Sequence, residues 1–102
     1  MLDTQQIIPT LDYLRSQREA IFAVLQRYGA SEVRVFGSVA RGTANVNSDV
    51  DLLVCLGRHS LLQRIALMRE LSAILGVRVD VVQEKMLKPH IKAQALKEAV
   101  WL

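Results

Sequence analysis

Residues 49–56, Asp-Val-Asp-Leu-Leu-Val-Cys-Leu, constrain the fold more than any other stretch of the chain. Val50, Leu52, Leu53, Val54 and Leu56 form an apolar run, with a polar segment before it and Gly57-Arg58 after it. A short apolar run between turn signals reads as a strand buried on both faces. The exception is its head, where Asp49 and Asp51 stand. Residues i and i+2 of a strand share a face, so the two carboxylates are expected to project together from the strand's start. Carboxylates that close repel unless a cation lies between them or one keeps its proton. Such a pair does not serve stability, and a metal ion is the simplest reason for it.

The flanking sequence supplies the layers this strand needs. Residues 1–8 read as a loose lead-in. Pro9 and Thr10 offer a helix start. Leu11, Leu14, Ile21, Val24, Leu25 and Tyr28 then recur at helical spacing, predicting one helix that stops at Gly29. Arg15, Arg18, Glu19 and Arg27 fall on its solvated face. Glu32–Phe36 alternates and reads as the first strand. Gly37-Ser38 breaks it, Val39–Arg41 suits a short helical turn, and residues 43–48 are a polar loop.

Beyond the Asp49–Leu56 strand, Ser60 and Gln63 have capping-box spacing. Leu61, Leu62, Ile65, Leu67, Met68, Leu71, Ile74 and Leu75 predict an amphipathic helix ending at Gly76. Val77–Val82 reads as a third strand, with Val77, Val79 and Val81 on one face and Arg78, Asp80 and Val82 on the other. Pro89 opens a last helix, with Ile91, Ala95, Leu96 and Ala99 as its packing stripe. The expected fold is α/β: a small mixed three-stranded sheet flanked by about four helices, in one domain spanning 1–102. Strands two and three are joined by a long helix and should run parallel. The short link between strands one and two reverses direction.

Composition narrows the class. At 102 residues with 51% hydrophobic and 5% aromatic content, the core is built of Leu, Val, Ile and Ala. The net charge of +3 is spread along the chain, so no direct nucleic-acid binding is expected. The single cysteine, Cys55, forms no disulfide framework and is expected to be a small buried hydrophobe. The first residues lack a basic segment followed by an apolar run, and no run reaches membrane-spanning length. A cytoplasmic protein with no membrane association is expected.

The chemistry follows from the strand positions. Asp80 is the only acidic residue inside the third strand. Packed beside strand two, it would join Asp49 and Asp51 in a site for two Mg²⁺ ions, which prefer oxygen ligands completed by water and phosphate. Gly37 lets the backbone approach a phosphate, and the Ser38 hydroxyl and following amides donate toward an anion. If strands one and two are antiparallel neighbours, phosphate cradle and carboxylates meet at one sheet edge. That is the arrangement nucleotidyl transfer needs. Taken singly, each piece has an ordinary explanation: Gly-Ser as a turn, Asp-x-Asp as a loop, Asp80 as an edge-strand charge. Arg41 fits a phosphate contact, a partner contact or a surface charge.

Gly37-Ser38, ten intervening residues and Asp49-x-Asp51 match the signature of the DNA polymerase β-like nucleotidyltransferase superfamily. The string GSVARGTANVNSDVDLLV resembles its minimal nucleotidyltransferase (MNT) members, and the similarity runs over nearly the whole chain. The resemblance implies a nucleotidyltransferase fold and ATP as substrate. It gives Gly37 and Ser38, with Arg41, to the nucleotide, and Asp49, Asp51 and Asp80 to Mg²⁺. Asp80 would also activate the acceptor hydroxyl. It further implies an antitoxin paired with a HEPN-domain ribonuclease toxin, silencing it by AMP transfer from ATP to a tyrosine. The alternatives are an antitoxin that neutralises by binding alone, or transfer to RNA or a small molecule. Acceptor-binding domains common in the latter enzymes have no room in 102 residues, so a partner protein is expected to deliver the acceptor.

Overall fold

A computed structural model describes residues 7–102, so the lead-in expected over residues 1–8 lies mostly outside the described residues. The elements in chain order are α1 (Leu11–Ser16), α2 (Arg18–Arg27), β1 (Ala30–Phe36), α3 (Gly37–Arg41), β2 (Val50–Leu56), α4 (Leu61–Leu75), β3 (Val79–Val82), a 3-10 turn (Glu84–Met86), α5 (Pro89–Glu98) and β4 (Val100–Trp101). The sheet has four strands in the order β3-β2-β1-β4. β1 and β2 are antiparallel, and β2 and β3, linked by α4, are parallel, as expected.

Several local expectations need correction, among them the packing roles expected of Leu61, Leu62 and Ile91, which are exposed. The single first helix is two, divided at Gln17 (φ −104°, ψ 12°). No proline or glycine marks the division. Instead the Ser16 hydroxyl donates to the Tyr13 carbonyl, and the Gln17 N–H shortens its reach to Leu14 O. A serine that takes a helix carbonyl competes with the i→i−4 ladder. The sheet has a fourth strand where the last helix was expected to continue. α5 stops at Glu98, Ala99 is extended, and Val100–Trp101 pair antiparallel with Val35 and Arg34. The Arg34 guanidinium stacks 4.9 Å from the Trp101 ring centroid, which anchors this short edge. Cys55, too, is exposed. It lies beyond Leu53 on a face that is not covered at that point, and a hydrogen bond with Glu32 pushes its thiol pKa up.

The capping chemistry is as the sequence predicts. Thr10 Oγ1 accepts from the Tyr13 N–H and starts α1. Ser60 Oγ accepts from the Gln63 N–H at 3.1 Å while Gln63 Oε1 accepts from the Ser60 N–H at 2.8 Å, closing a reciprocal box at the head of α4. Gly76, at φ +71°, ends that helix in the left-handed conformation.

The two sheet faces differ in kind. Val35, Val50, Leu52, Val79 and Val81 are buried with Leu14, Ile21, Val24 and Leu25 of α1 and α2 and Leu67, Leu71 and Leu75 of α4. The other face carries the cross-strand row Phe36, Asp51 and Asp80 and, next along, Arg34 and Leu53. Leu53 is buried there, outside the main cluster, as is Ala95 of α5. α5 packs against β1 and α3. β2 is therefore apolar on both sides from Leu52 to Val54 and polar only at its head.

Leu53 is 1% exposed. Leu53→Ala should lower the unfolding free energy by about 2–5 kcal/mol, since it removes buried methyl groups and leaves a cavity. Urea denaturation followed by circular dichroism measures this, and a loss of the size seen for exposed positions would contradict the burial.

Candidate active site

The end of β1 and the head of β2 meet because the strands run antiparallel, with Phe36 opposite Asp51. The chain leaves β1 through Gly37 at φ +75°. A Cβ built at Gly37 would overlap Asp51 Oδ2 and lie 3.3 Å from its Cγ. Glycine is therefore required twice over, by the backbone angle and by the carboxylate pressed against it. Ser38 follows, half-buried, and its carbonyl accepts from the Thr43 N–H at 3.0 Å. α3 is five residues long, too short for a substantial macrodipole. It ends at Gly42, and the loop after it is held by its own side chains. Asn45 Oδ1 accepts from the Asn47 N–H, and Ser48 Oγ accepts from the Asn45 N–H, both at 2.8 Å. This self-bonded loop delivers the chain to Asp49.

Asp51 lies in β2 and faces Asp80 across the parallel ladder. Asp49 falls one residue before the strand, not within it as expected. The carboxyl of Asp51 is pushed from an ordinary 3.8 to about 6. Burial is the largest cause, followed by the charges of Asp80 and Asp49, with Arg41 opposing. Asp80, Asp49 and Arg41, all named from the sequence, thus act on Asp51.

Their side chains do not close on one point. Among the described residues no group of three or more His, Cys, Asp and Glu side chains is placed to hold a metal ion. Asp49 Oδ2 stands 3.6 Å from an Arg78 nitrogen, and Asp80 Oδ1 stands 3.8 Å from an Arg64 nitrogen. The donor set still suits a hard dication: three carboxylates, of which Asp51 is half-buried. Each outer carboxylate is thus paired at long range with one arginine.

The sequence reading missed these arginines and Glu98. Arg78 carried a signal, being two residues before Asp80 on the same strand face. Arg64 comes from α4, where its Nε–H donates to the Val81 carbonyl at 2.8 Å, and nothing in its spacing announces that reach. Glu98, at the end of α5, accepts from Arg41 at 3.0 Å across 57 positions of sequence.

Known proteins resemble this chain in sequence and fold. The profile of the nucleotidyltransferase domain matches residues 18–102. The protein adenylyltransferase MntA of Thermococcus cleftensis is 45% identical over 78 residues, covering 76% of this chain and 79% of that protein. A solved structure provisionally assigned as a minimal nucleotidyltransferase superposes with a TM-score of 0.79 at 48% identity, covering 91% of this chain and 96% of that one. The crystal structure of a toxin–antitoxin with AMP-PNP has the same fold, with a TM-score of 0.71 at 23% identity over 81% of this chain and 69% of that one. The expected fold thus holds, with four strands in place of three, and the chain belongs to the nucleotidyltransferase domain family.

Proposed function

We propose that the protein is a protein adenylyltransferase antitoxin, moving AMP from ATP to a tyrosine hydroxyl of a HEPN-domain toxin. The observation that carries this reading is the contact between Gly37 and Asp51, which joins the phosphate-binding turn to the carboxylates at one sheet edge. Similarity to MntA, named a protein adenylyltransferase, supports the reaction class. The likeness to a toxin–antitoxin holding AMP-PNP supports a toxin partner and an adenine nucleotide. The HEPN identity rests on the MNT resemblance of the GSVARG…DVD string.

In this reading the Gly37 backbone and Ser38 hydroxyl bind the β- and γ-phosphates, and Arg41 adds its charge. Asp49, Asp51 and Asp80 hold Mg²⁺. When bound, the ions neutralise the triphosphate and favour an ionised acceptor oxygen. Asp80 receives the proton of the acceptor hydroxyl. The new bond joins the acceptor oxygen to the α-phosphorus. The bond from that phosphorus to the bridging oxygen breaks, and pyrophosphate leaves with the electron pair. Asp80 is 54% exposed and Asp49 44%. Carboxylates so open suit an acceptor presented by a macromolecule better than one enclosed in a pocket. An added AMP brings negative charge and bulk to the toxin, which obstructs RNA there.

A second reading draws on the ion pairs of Asp49 with Arg78 and Asp80 with Arg64. In it the carboxylates are satisfied internally, and the protein neutralises its toxin by binding alone.

Incubation with Mg²⁺, α-labelled ATP and the toxin separates the two. Label on the toxin is expected, lost on Asp80→Asn with an unchanged melting midpoint. No label, together with toxin inhibition preserved in an Asp49→Ala/Asp51→Ala variant, establishes neutralisation by binding. Label on RNA in place of protein would redirect the acceptor. Gly37→Ala should abolish nucleotide binding, because its methyl group collides with the Asp51 carboxylate.

Asp51 also predicts a pH effect in metal-free protein. Its folded-state pKa of about 6 lies above the ordinary 3.8. Between those values the folded chain binds the extra proton, so stability falls as pH rises through the window. Asp51→Asn should therefore melt higher than wild type at pH 7.5, with the gain shrinking as pH falls through about 6 and vanishing near 4. Differential scanning fluorimetry across pH checks this. Mg²⁺ should raise the wild-type midpoint at pH 7.5 more than that of Asp51→Asn.

A further inference from the structure

Arg41 closes α3, the element that begins at Gly37-Ser38. One of its terminal nitrogens donates to Glu98 Oε2 at 3.0 Å. Glu98 ends α5, and its other oxygen, Oε1, accepts from Gln94 Nε2 at 2.7 Å. The side chain of Glu98 is 16% exposed, whereas that of Arg41 is 48% exposed. A largely covered carboxylate with both oxygens engaged is a fixed post for the more exposed arginine.

We infer that Glu98 is a positioning residue for the nucleotide: it holds Arg41 by one guanidinium nitrogen and leaves the rest of the fork for the phosphates of a nucleoside triphosphate at Gly37-Ser38. This rests on the nucleotide-site reading given above. A guanidinium has five N–H donors in a rigid plane. Fixing one of its nitrogens sets the plane's orientation before ligand arrives, so less side-chain freedom is lost on binding. Glu98 would repel phosphate if its charge were bare, but Arg41 and Gln94 occupy both its oxygens. Through this pair α5 is tied to the phosphate turn of α3.

The test is calorimetric titration of Mg²⁺ and AMP-PNP into wild-type protein and its variants, with steady-state kinetics alongside. Glu98→Ala should weaken binding about tenfold, the scale of one charged hydrogen bond. Glu98→Gln, whose amide oxygen still accepts from Arg41, should stay within about threefold of wild type. Arg41→Ala should lose at least as much as Glu98→Ala, and adding Glu98→Ala to it should cost nothing further, since Glu98 acts only through Arg41. In the transfer assay the KM for ATP should rise with kcat little changed. Equal or tighter binding by Glu98→Ala overturns the inference. So does a further full loss when Glu98→Ala is added to Arg41→Ala, which would mark a merely structural role. If Glu98→Ala melts below the assay temperature, Glu98→Leu, which refills the volume without an acceptor, carries the same comparison. Failure of the wild-type protein to bind AMP-PNP at all overturns the nucleotide-site reading, and this inference with it.

Discussion

The contact between the Gly37 backbone and the Asp51 carboxylate is the constraint on which the site depends. It exists because β1 and β2 are antiparallel in a register that sets Phe36 opposite Asp51. A shift of one residue would turn Asp51 toward the buried face and Leu52 away from it. The apolar side chains of β2 therefore fix the site as firmly as they fix the core. Leu52 locks one face beneath α2 and α4, and Leu53 locks the other. Asp51 is left at the one place on the strand where a half-buried carboxylate can stand. The arrangement is electrostatically costly in the empty protein, since two like charges and burial act on one carboxyl with only Arg41 opposing them. A fold can keep such a group when the rest of the strand is over-determined by packing.

Much of this was legible in the sequence because it rests on local signals. The Asp-Val-Asp-Leu-Leu-Val run, the glycine stops at 37 and 76 and the Ser60–Gln63 box each work through neighbouring residues. Strand direction followed from connection length: a helix between β2 and β3, a short link between β1 and β2. What escaped is non-local or too short to have a period. β4 has only two residues, so no alternation announces it, and it forms because β1 offers an edge and Arg34 offers a cation to Trp101. The break at Gln17 comes from a hydroxyl–carbonyl bond, which leaves no mark in hydrophobic spacing.

β1 holds another feature that spacing could not give. Ser31 pairs with Cys55 and Arg34 with Leu53, so Glu32 and Val33 together oppose Val54. This is a bulge, and Glu32 takes φ +53° to make it. A bulge adds twist and re-aims the strand beyond it. It brings Arg34 into register with Leu53 and Trp101, and sets Phe36 opposite Asp51. The expected alternation of Val33 and Val35 against Glu32 and Arg34 is thus regular only past the bulge.

The positions of the three aspartates were legible in the sequence, while their partners were not. Asp49, Asp51 and Asp80 lie where the strand assignments put them, give or take one residue. Arg78, Arg64 and Glu98 reach the site from other elements or the far end of the chain. These ion pairs bear on the chemistry in opposite ways. Arg78 is 87% exposed, and its pair with Asp49 is long, at 3.6 Å. Pairs of that kind contribute about 0–1 kcal/mol. A dication bound by several carboxylates displaces such a partner at little cost, so Arg78 is no obstacle to the proposed metal site. Arg64 is different: its Nε–H is anchored on the Val81 carbonyl at 2.8 Å, which holds it beside Asp80. A positive charge held there offsets part of the repulsion among the neighbouring carboxylates.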